Sequence, residues 1–469
     1  MSKFYVTTAI DYIDDVLHIG HAYQKVAADV LARYHRALGD EVFFLTGVDE
    51  HGGKAEKSAR EHNVSFEQWA DKISRQDQEQ LASINISFDR YIRTTDKDHI
   101  QTVVDFWKKI DNQGDIYLDK YTGIYCPGCE RFITEKDLVE GACPYHPELD
   151  LQELTEENYF FRLSKYEDFL KSYIDKNPEF VQPGTRRKEI VAFLNQGLED
   201  IPISRPSVEW GIPVPGDNAH TIYVWFDALI NYFSGAPEGF WPADVHFLGK
   251  DNLFWHAVLW PAMLKSAGYV LPKIVYAHGF LSLEGRKISK SLGNVIRPSQ
   301  LAEEFGSDAI RYYLCRSMSL PEDGNLSLDH LESVYNSNLA HGLGNLVSRV
   351  ATLCDKAGVE IKPGQKSLQD VLTPDLAQAM GSFRYNLYLE LVWQRISAAN
   401  AYITKKKPWN YLGEKEQQSD LEDILSHLVS EIREIALLVR PFIPIAARKI
   451  EEQFQGPGIK AAEPIFPRI

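Results

Sequence analysis

Apolar and polar positions change period along this chain, and the changes divide it into regions. Residues 4–10 form a short apolar run that predicts a strand. Ala22, Val26, Val30, Tyr34 and Leu38 then recur at helical spacing, predicting a helix over about 19–38 with Gly39 as its C-cap. Residues 41–46 read as the next strand, ending in a polar loop, Gly47-Val48-Asp49-Glu50-His51-Gly52, and helical patterns follow to about residue 114. Strand, helix, strand in that order predicts a parallel sheet with ligands at the carboxyl ends of its strands. From about 115 to 217, turns, cysteines, prolines and short aromatic strands predict an inserted domain. The α/β pattern then resumes, with strands over 221–226, 245–248 and 273–277 and a helix over 252–267, kinked at Pro261. Beyond about 326 strand signals end. Helical stretches over 328–356, 374–406 and 418–440 predict a bundle, the last with Ile424, Leu428, Ile432 and Ile435 on one face.

Composition narrows the class. At 469 residues and 44% hydrophobic, the chain has material for several packed units. A net charge of -16 argues against a general polyanion-binding surface but leaves room for a local basic patch. No apolar run reaches the roughly 20 residues of a membrane span. The first residues lack the features of a targeting segment, so the expected location is cytoplasmic. Five cysteines suit a reducing compartment, with Cys315 and Cys354 standing alone in helical sequence.

Two motifs roughly 270 residues apart carry the chemistry. His18-Ile19-Gly20-His21 opens the first predicted helix. Imidazoles three apart share one face of that turn, where free N–H groups and the helix dipole already favour phosphate. Gly20 leaves the backbone open to a flat base. Lys287-Ile288-Ser289-Lys290-Ser291, bounded by Gly285 and Gly293, puts two cations on a loop, as suits charge that grows in a transition state. Taken alone, each motif also fits an ordinary surface turn. A third array, Cys126-x2-Cys129 and Cys143-x2-His146, offers four ligands in two close pairs and fits a closed, structural tetrahedral zinc site.

The first two motifs make the chain resemble the class I aminoacyl-tRNA synthetases, with Ile288 where their lysine loop has Met. The resemblance sharpens to the methionyl-tRNA synthetase family through Ala9-Ile10-Asp11-Tyr12, Gly47 to Gly52, Ile203-Ser204-Arg205, Tyr223 to Ala228, Phe254-Trp255-His256 and Lys407-Pro408-Trp409, and covers essentially the whole chain. It implies a Rossmann-type catalytic domain at 1–114 and 221–275, split by a connective zinc-knuckle insert at 115–220. A lysine-loop and stem-contact region would follow at 276–326 and a helical anticodon-binding domain at 327–469. It further implies ligation of methionine to tRNA(Met) with ATP and Mg2+, His18, His21, Lys287 and Lys290 being catalytic. Gly20, Gly249 and Asp251 would join those four in binding ATP. The methionine pocket would fall on Ile10, Tyr12, Asp49, Trp225, Ala228, Leu229, Tyr232, Trp255 and His256. Methionine's polarizable sulfur packs well against aromatic edges, which that set supplies. Asn338 and Trp409 would meet the anticodon, and the zinc knuckle would stiffen the insert where the acceptor end enters. Asp11, Leu17 and Gly342 depart from the usual pattern, and Arg205 is expected to hold the site through ion pairs. The insert looks too small for a separate editing domain. No membrane partner is expected, and a monomer is.

A cysteine-specific synthetase would need a cysteine-bound metal near the first motif, where there is no cysteine. A non-catalytic RNA-binding paralogue would have no need of His18, His21, Lys287 and Lys290 together.

Overall fold

The computed structural model describes residues 2–128, 131–133, 138–144, 146–206, 208–288 and 293–469. Its centre is a seven-stranded, wholly parallel sheet. In spatial order the strands are Asp11–Tyr12, Glu41–Asp49, Lys3–Thr8, Val245–Gly249, Ile274–His278 and Val181–Gln182, with Arg90–Arg93 also paired to Glu41–Asp49. Lys3–Thr8 and Val245–Gly249 lie side by side, so the halves before and after the insert close into one sheet. The first helix, Ile19–Ala37, buries its predicted stripe, Ala22, Val26, Val30 and Tyr34, and ends at Gly39 with φ +89°.

Three elements differ from the sequence reading. The second strand continues through Gly47 and Val48 to Asp49 instead of stopping at Thr46. It does so because Arg90–Arg93, charged at both ends and without visible periodicity, pairs beside it. A Cβ on Gly47 would lie 1.9 Å from the Ile92 carbonyl oxygen, so only glycine permits that approach. Residues 224–226, read as strand, begin the helix Val224–Leu229; the strand before it is Asp217–Ile222, in a small antiparallel sheet. The predicted kink at Pro261 appears as a π-helical stretch, Trp255–Leu259, running into the helix Trp260–Ser266. Proline has no N–H to give the preceding turn, and the wider π pitch absorbs that loss.

The insert opens with an antiparallel sheet, Ile116–Cys126, Arg131–Ile133, Gln152–Phe161 and Ile201–Pro202. It also carries the helices Glu167–Lys176 and Gly184–Leu194. Between them Val181–Gln182 returns to the main sheet against Ile274–His278, a two-residue strand too short to leave a period in sequence.

After Leu326 the described residues are helical and form the bundle. One core runs unbroken from the sheet into it, joining Val26 and Phe44 to Leu389 and Leu428. Arg311, on the helix Ser307–Arg316, pins that junction. It pairs with Asp29 of the first helix at 2.6 Å and donates to the carbonyls of Phe442 and Pro441 at 2.9 Å, and both ionic side chains are fully buried. Burial would raise the Asp29 carboxyl, but Arg311 and Arg33 outweigh it and hold the group charged. Among the described residues no helix is long and apolar enough to cross a membrane.

Candidate active site

His18 is the N-cap of the first helix. Its Nδ1 accepts the Gly20 N–H at 3.1 Å, and the Nδ1 of His21 accepts the His18 N–H at 3.2 Å, a reciprocal capping box. The rings stack at 3.9 Å. Because both Nδ1 atoms accept, each neutral imidazole carries its hydrogen on Nε2, which gives the helix end two N–H donors suited to phosphate oxygens.

The second motif packs against the first. A Cβ on Gly20 would lie 2.8 Å from His18 Cε1, so glycine leaves room for the capping ring, and 3.6 Å from Ile288 Cδ1, in ordinary contact. The Ile19 N–H also donates to the Ile296 carbonyl at 3.0 Å. Lys287 stands at the end of a hairpin, Leu281–Leu283 to Arg286–Lys287, whose turn residues Glu284 and Gly285 both have positive φ. Lys290, the other predicted cation, lies outside the described residues. Gly249 closes its strand at the carboxyl edge, and a Cβ there would sit 2.6 Å from Asp251 Oδ1.

Beside these groups the structure assembles the aromatic set. Tyr12 meets Trp225 edge-on at 6.2 Å, Trp225 stacks on Trp255 at 4.6 Å, and His256 meets Trp225 edge-on at 6.4 Å. Tyr232 Oη lies 2.6 Å from His256 Nε2. His256 Nδ1 donates to the Asn252 carbonyl at 2.8 Å, and burial pushes the imidazole down to about 4. The ring is therefore neutral, with Nε2 bare, and Tyr232 is the donor to it. Ala228 and Leu229 are buried on the helix of Trp225, and Ile10 packs at the edge of the same core. Asp49, buried at its strand end, pairs in register with Tyr12 and acts on Tyr232 through space.

Asp227, His51, His99 and Lys54, absent from the sequence candidates, hold this set together with Arg205. Asp227, on the helix of Trp225, accepts from His51 Nδ1 and His99 Nε2, both at 2.7 Å and all buried. Burial would raise its carboxyl, but the two histidines prevail and keep it charged. No sequence signal marks His99, which reaches Asp227 from the helix Lys97–Asn112. Lys54 lies over the Tyr12 ring at 4.3 Å. Arg205 is a clamp: it pairs with Glu156 of the insert at 2.8 Å and lies over Tyr125 at 4.3 Å and Tyr223 at 5.8 Å. It thereby ties the insert's sheet to the start of the Trp225 helix.

Of the metal array, Cys126, Cys143 and His146 come together, their ligand atoms all within 4.8 Å of one another; Cys129 lies outside the described residues. Cys126 Sγ and Cys143 Sγ lie 3.9 and 4.0 Å from His146 Nδ1, close to the edge of a tetrahedral zinc site. Burial pushes the His146 imidazole down, with smaller contributions from the Lys54 and Lys287 charges.

A groove of about 710 Å³ lies in the bundle, with Asn338, Gly342, Arg349, Trp393 and Asn400 along it. Asn338 is braced by Tyr312 Oη at 3.0 Å. The helix Tyr385–Lys406 stops at Lys407, with φ +49°, and Pro408; Trp409 follows, 44% exposed, with Arg349 5.9 Å from its ring.

A family model described as "tRNA synthetases class I (M)" matches residues 4–153 and 150–351. The methionine–tRNA ligase of Caldanaerobacter subterraneus is 40% identical, the match covering 99% of this chain and 79% of that one. That of Synechocystis is 38% identical over 96% and 89%. A Mycobacterium tuberculosis methionyl-tRNA synthetase in complex with methionyl-adenylate superposes with a TM-score of 0.93 at 38% identity, over 100% of both chains. The chain belongs to the methionyl-tRNA synthetase family. The split Rossmann-type sheet and helical C-terminal region are thus those of a methionyl-tRNA synthetase. Within that frame Ile288 lies near Gly20 at the helix end, and Gln24 and Lys25 of the same helix hold the Ala9 carbonyl beside Ile10 and Tyr12.

Proposed function

We infer that this chain is a methionine–tRNA ligase and that the two motifs and the aromatic pocket divide its first reaction. The observation that carries the reading is that Ile288 lies against Gly20 at the histidine-capped helix end, while Gln24 and Lys25 of the same helix hold the Ala9 carbonyl near Tyr12, which opens the wall of Trp225, Trp255 and His256. A carboxylate oxygen of methionine attacks the α-phosphorus of ATP. The bond from that phosphorus to the bridging oxygen breaks, and pyrophosphate leaves. The terminal ribose hydroxyl of tRNA(Met) then attacks the adenylate's carbonyl carbon and AMP departs.

His18 and His21 donate from Nε2 to phosphate oxygens, and Lys287 and Lys290 offset charge on the leaving pyrophosphate. Mg2+ enters with the ATP. Gly249 and Asp251 receive the adenosine. Asp49 takes the α-ammonium group, and Ile10, Ala228 and Leu229 pack the side chain. The rings of Tyr12, Trp225 and Trp255 face the sulfur, and the hydrogen-bonded Tyr232–His256 pair closes the pocket behind it. Positioning supplies most of the acceleration, because no protein nucleophile takes part.

Methionine-dependent ATP–pyrophosphate exchange, run with each of the twenty amino acids, tests this. Methionine is expected to support the fastest exchange; a faster rate with any other would overturn the assignment. In the same assay Trp409→Ala leaves exchange unchanged but lowers charging of tRNA(Met) about tenfold or more, since stacking on a base is worth roughly 1–3 kcal/mol. Unchanged charging would remove Trp409 and Asn338 from the anticodon site.

Cys126, Cys129, Cys143 and His146 would hold one structural zinc, which cross-links the insert's turns. One equivalent of zinc is expected in the purified protein, and chelation is expected to loosen the insert, seen as faster proteolysis between residues 126 and 146. A protein that carries no metal and resists cleavage to the same degree would exclude the site.

A further inference from the structure

The helix Phe66–Ser83 holds chain segments that flank both motifs. Trp69 Nε1 donates to the Ile13 carbonyl at 2.6 Å, and Asp77 Oδ1 accepts the Leu17 N–H at 2.7 Å, the residue just before His18. Gln80 Oε1 accepts the Ser299 N–H at 3.0 Å, in the first turn of the helix Pro298–Phe305 that follows the lysine loop. Asp77 and Gln80 are three apart and so share one face. Leu17, just before the first motif, and Ser299, eight residues past the second, are thus each held through a backbone N–H by side chains of one helix.

The surroundings fit a bracing role. Asp77 is fully buried, and its Oδ2 has no partner among the described residues. Around it stand the buried Asp11–Lys25 pair at 2.8 Å, Tyr91 and Arg297. Lys25 also donates to the Ala9 carbonyl at 2.6 Å, holding the segment that carries Ile10 and Tyr12. Arg297 caps the helix Pro298–Phe305 and approaches Asp15 at 3.6 Å. Asp11, a departure from the usual pattern, therefore has a partner in Lys25 and a place in this cluster.

We propose that Asp77 and Gln80 are positioning residues, which set the spacing between the His18–His21 helix end and the Lys287 loop and so set the affinity for ATP. The proposal rests on the reading of those motifs as the ATP site. Asp77→Leu and Gln80→Met remove the acceptors at similar volume, whereas Asp77→Asn and Gln80→Glu keep them. ATP binding is measured by titration calorimetry without amino acid, and the methionine KM by exchange. The acceptor-free variants are expected to bind ATP about tenfold more weakly, since a site that is no longer preorganised must be ordered when it binds, with the methionine KM within about twofold. The conservative variants stay near wild type. Gln80→Met, on a half-exposed residue, keeps the test open should Asp77→Leu fail to fold. Unchanged ATP affinity, or equal losses for ATP and methionine, would overturn the proposal. If wild type binds ATP but shows no exchange with methionine, the ligase reading fails while the ATP comparison still decides the brace. If wild type binds no ATP, both fall.

Discussion

His21→Ala is expected to lower methionine-dependent ATP–pyrophosphate exchange by about 10²–10³, the usual loss when one donor to developing charge is removed. The imidazole has two tasks. Its Nδ1 accepts the His18 N–H at 3.2 Å and its ring stacks on His18, so it fixes the first turn of the helix. In the proposed reading its Nε2–H is left for phosphate. Two further variants separate the tasks. Asparagine places an amide oxygen near the position of Nδ1 and keeps the cap without the donor. Glutamine places an amide nitrogen near Nε2 and keeps the donor. His21→Gln is therefore expected to recover much of the rate and His21→Asn little of it, with both folded. Full recovery by asparagine would reduce His21 to a cap, and exchange within about threefold of wild type for His21→Ala would remove it from the phosphate site.

The second large effect falls on stability. Arg311→Met leaves the Asp29 carboxylate buried with Arg33, at 2.7 Å, and the Ser87 N–H and hydroxyl, at 2.7 and 2.5 Å, as its partners. It also takes donors from the carbonyls of Pro441, Phe442, Ile84 and Asn85. Removing one member of a buried pair costs about 3–5 kcal/mol. The loss is expected as a lower midpoint in urea, with the bundle unfolding before the sheet, since Arg311 joins the two. The double variant Asp29→Leu, Arg311→Met is expected to recover part of the loss, because the buried carboxylate is gone and Arg33 keeps its bonds to Asn85. A shift worth less than about 1 kcal/mol for Arg311→Met would show that core packing alone joins sheet and bundle.

Much of the fold was legible because it rests on repeating patterns. The helix over 19–38 and the bundle helices bury a periodic face, and the strands over 245–248 and 273–277 are short continuous apolar runs buried on both sides, so all lie near their expected places. The elements that were misread have no such face. Arg90–Arg93 and Val181–Gln182 are strands because neighbours from distant sequence offer them free edges. Residues 224–226 are β-branched and aromatic, yet they form a helix that turns Trp225 toward Trp255. Tertiary packing overrides local propensity at such places.

The site divides in the same way. Residue types and spacing within short motifs are local chemistry, and they are sufficient to name His18, His21, Lys287 and the Cys–His array as groups with a task. Sequence therefore determined the kinds of chemistry available and, through resemblance, the family. Which groups face one another was decided only by the closed sheet. It brings Ile288 onto Gly20 across roughly 270 residues, sets His256 neutral between Asn252 and Tyr232, and ties Asp227 to His51 and His99. The same closure hangs Leu17 and Ser299 from one helix. Hydrogen bonds and burial act over a few ångströms and take no account of separation along the chain, so such pairings exist only once the chain has folded.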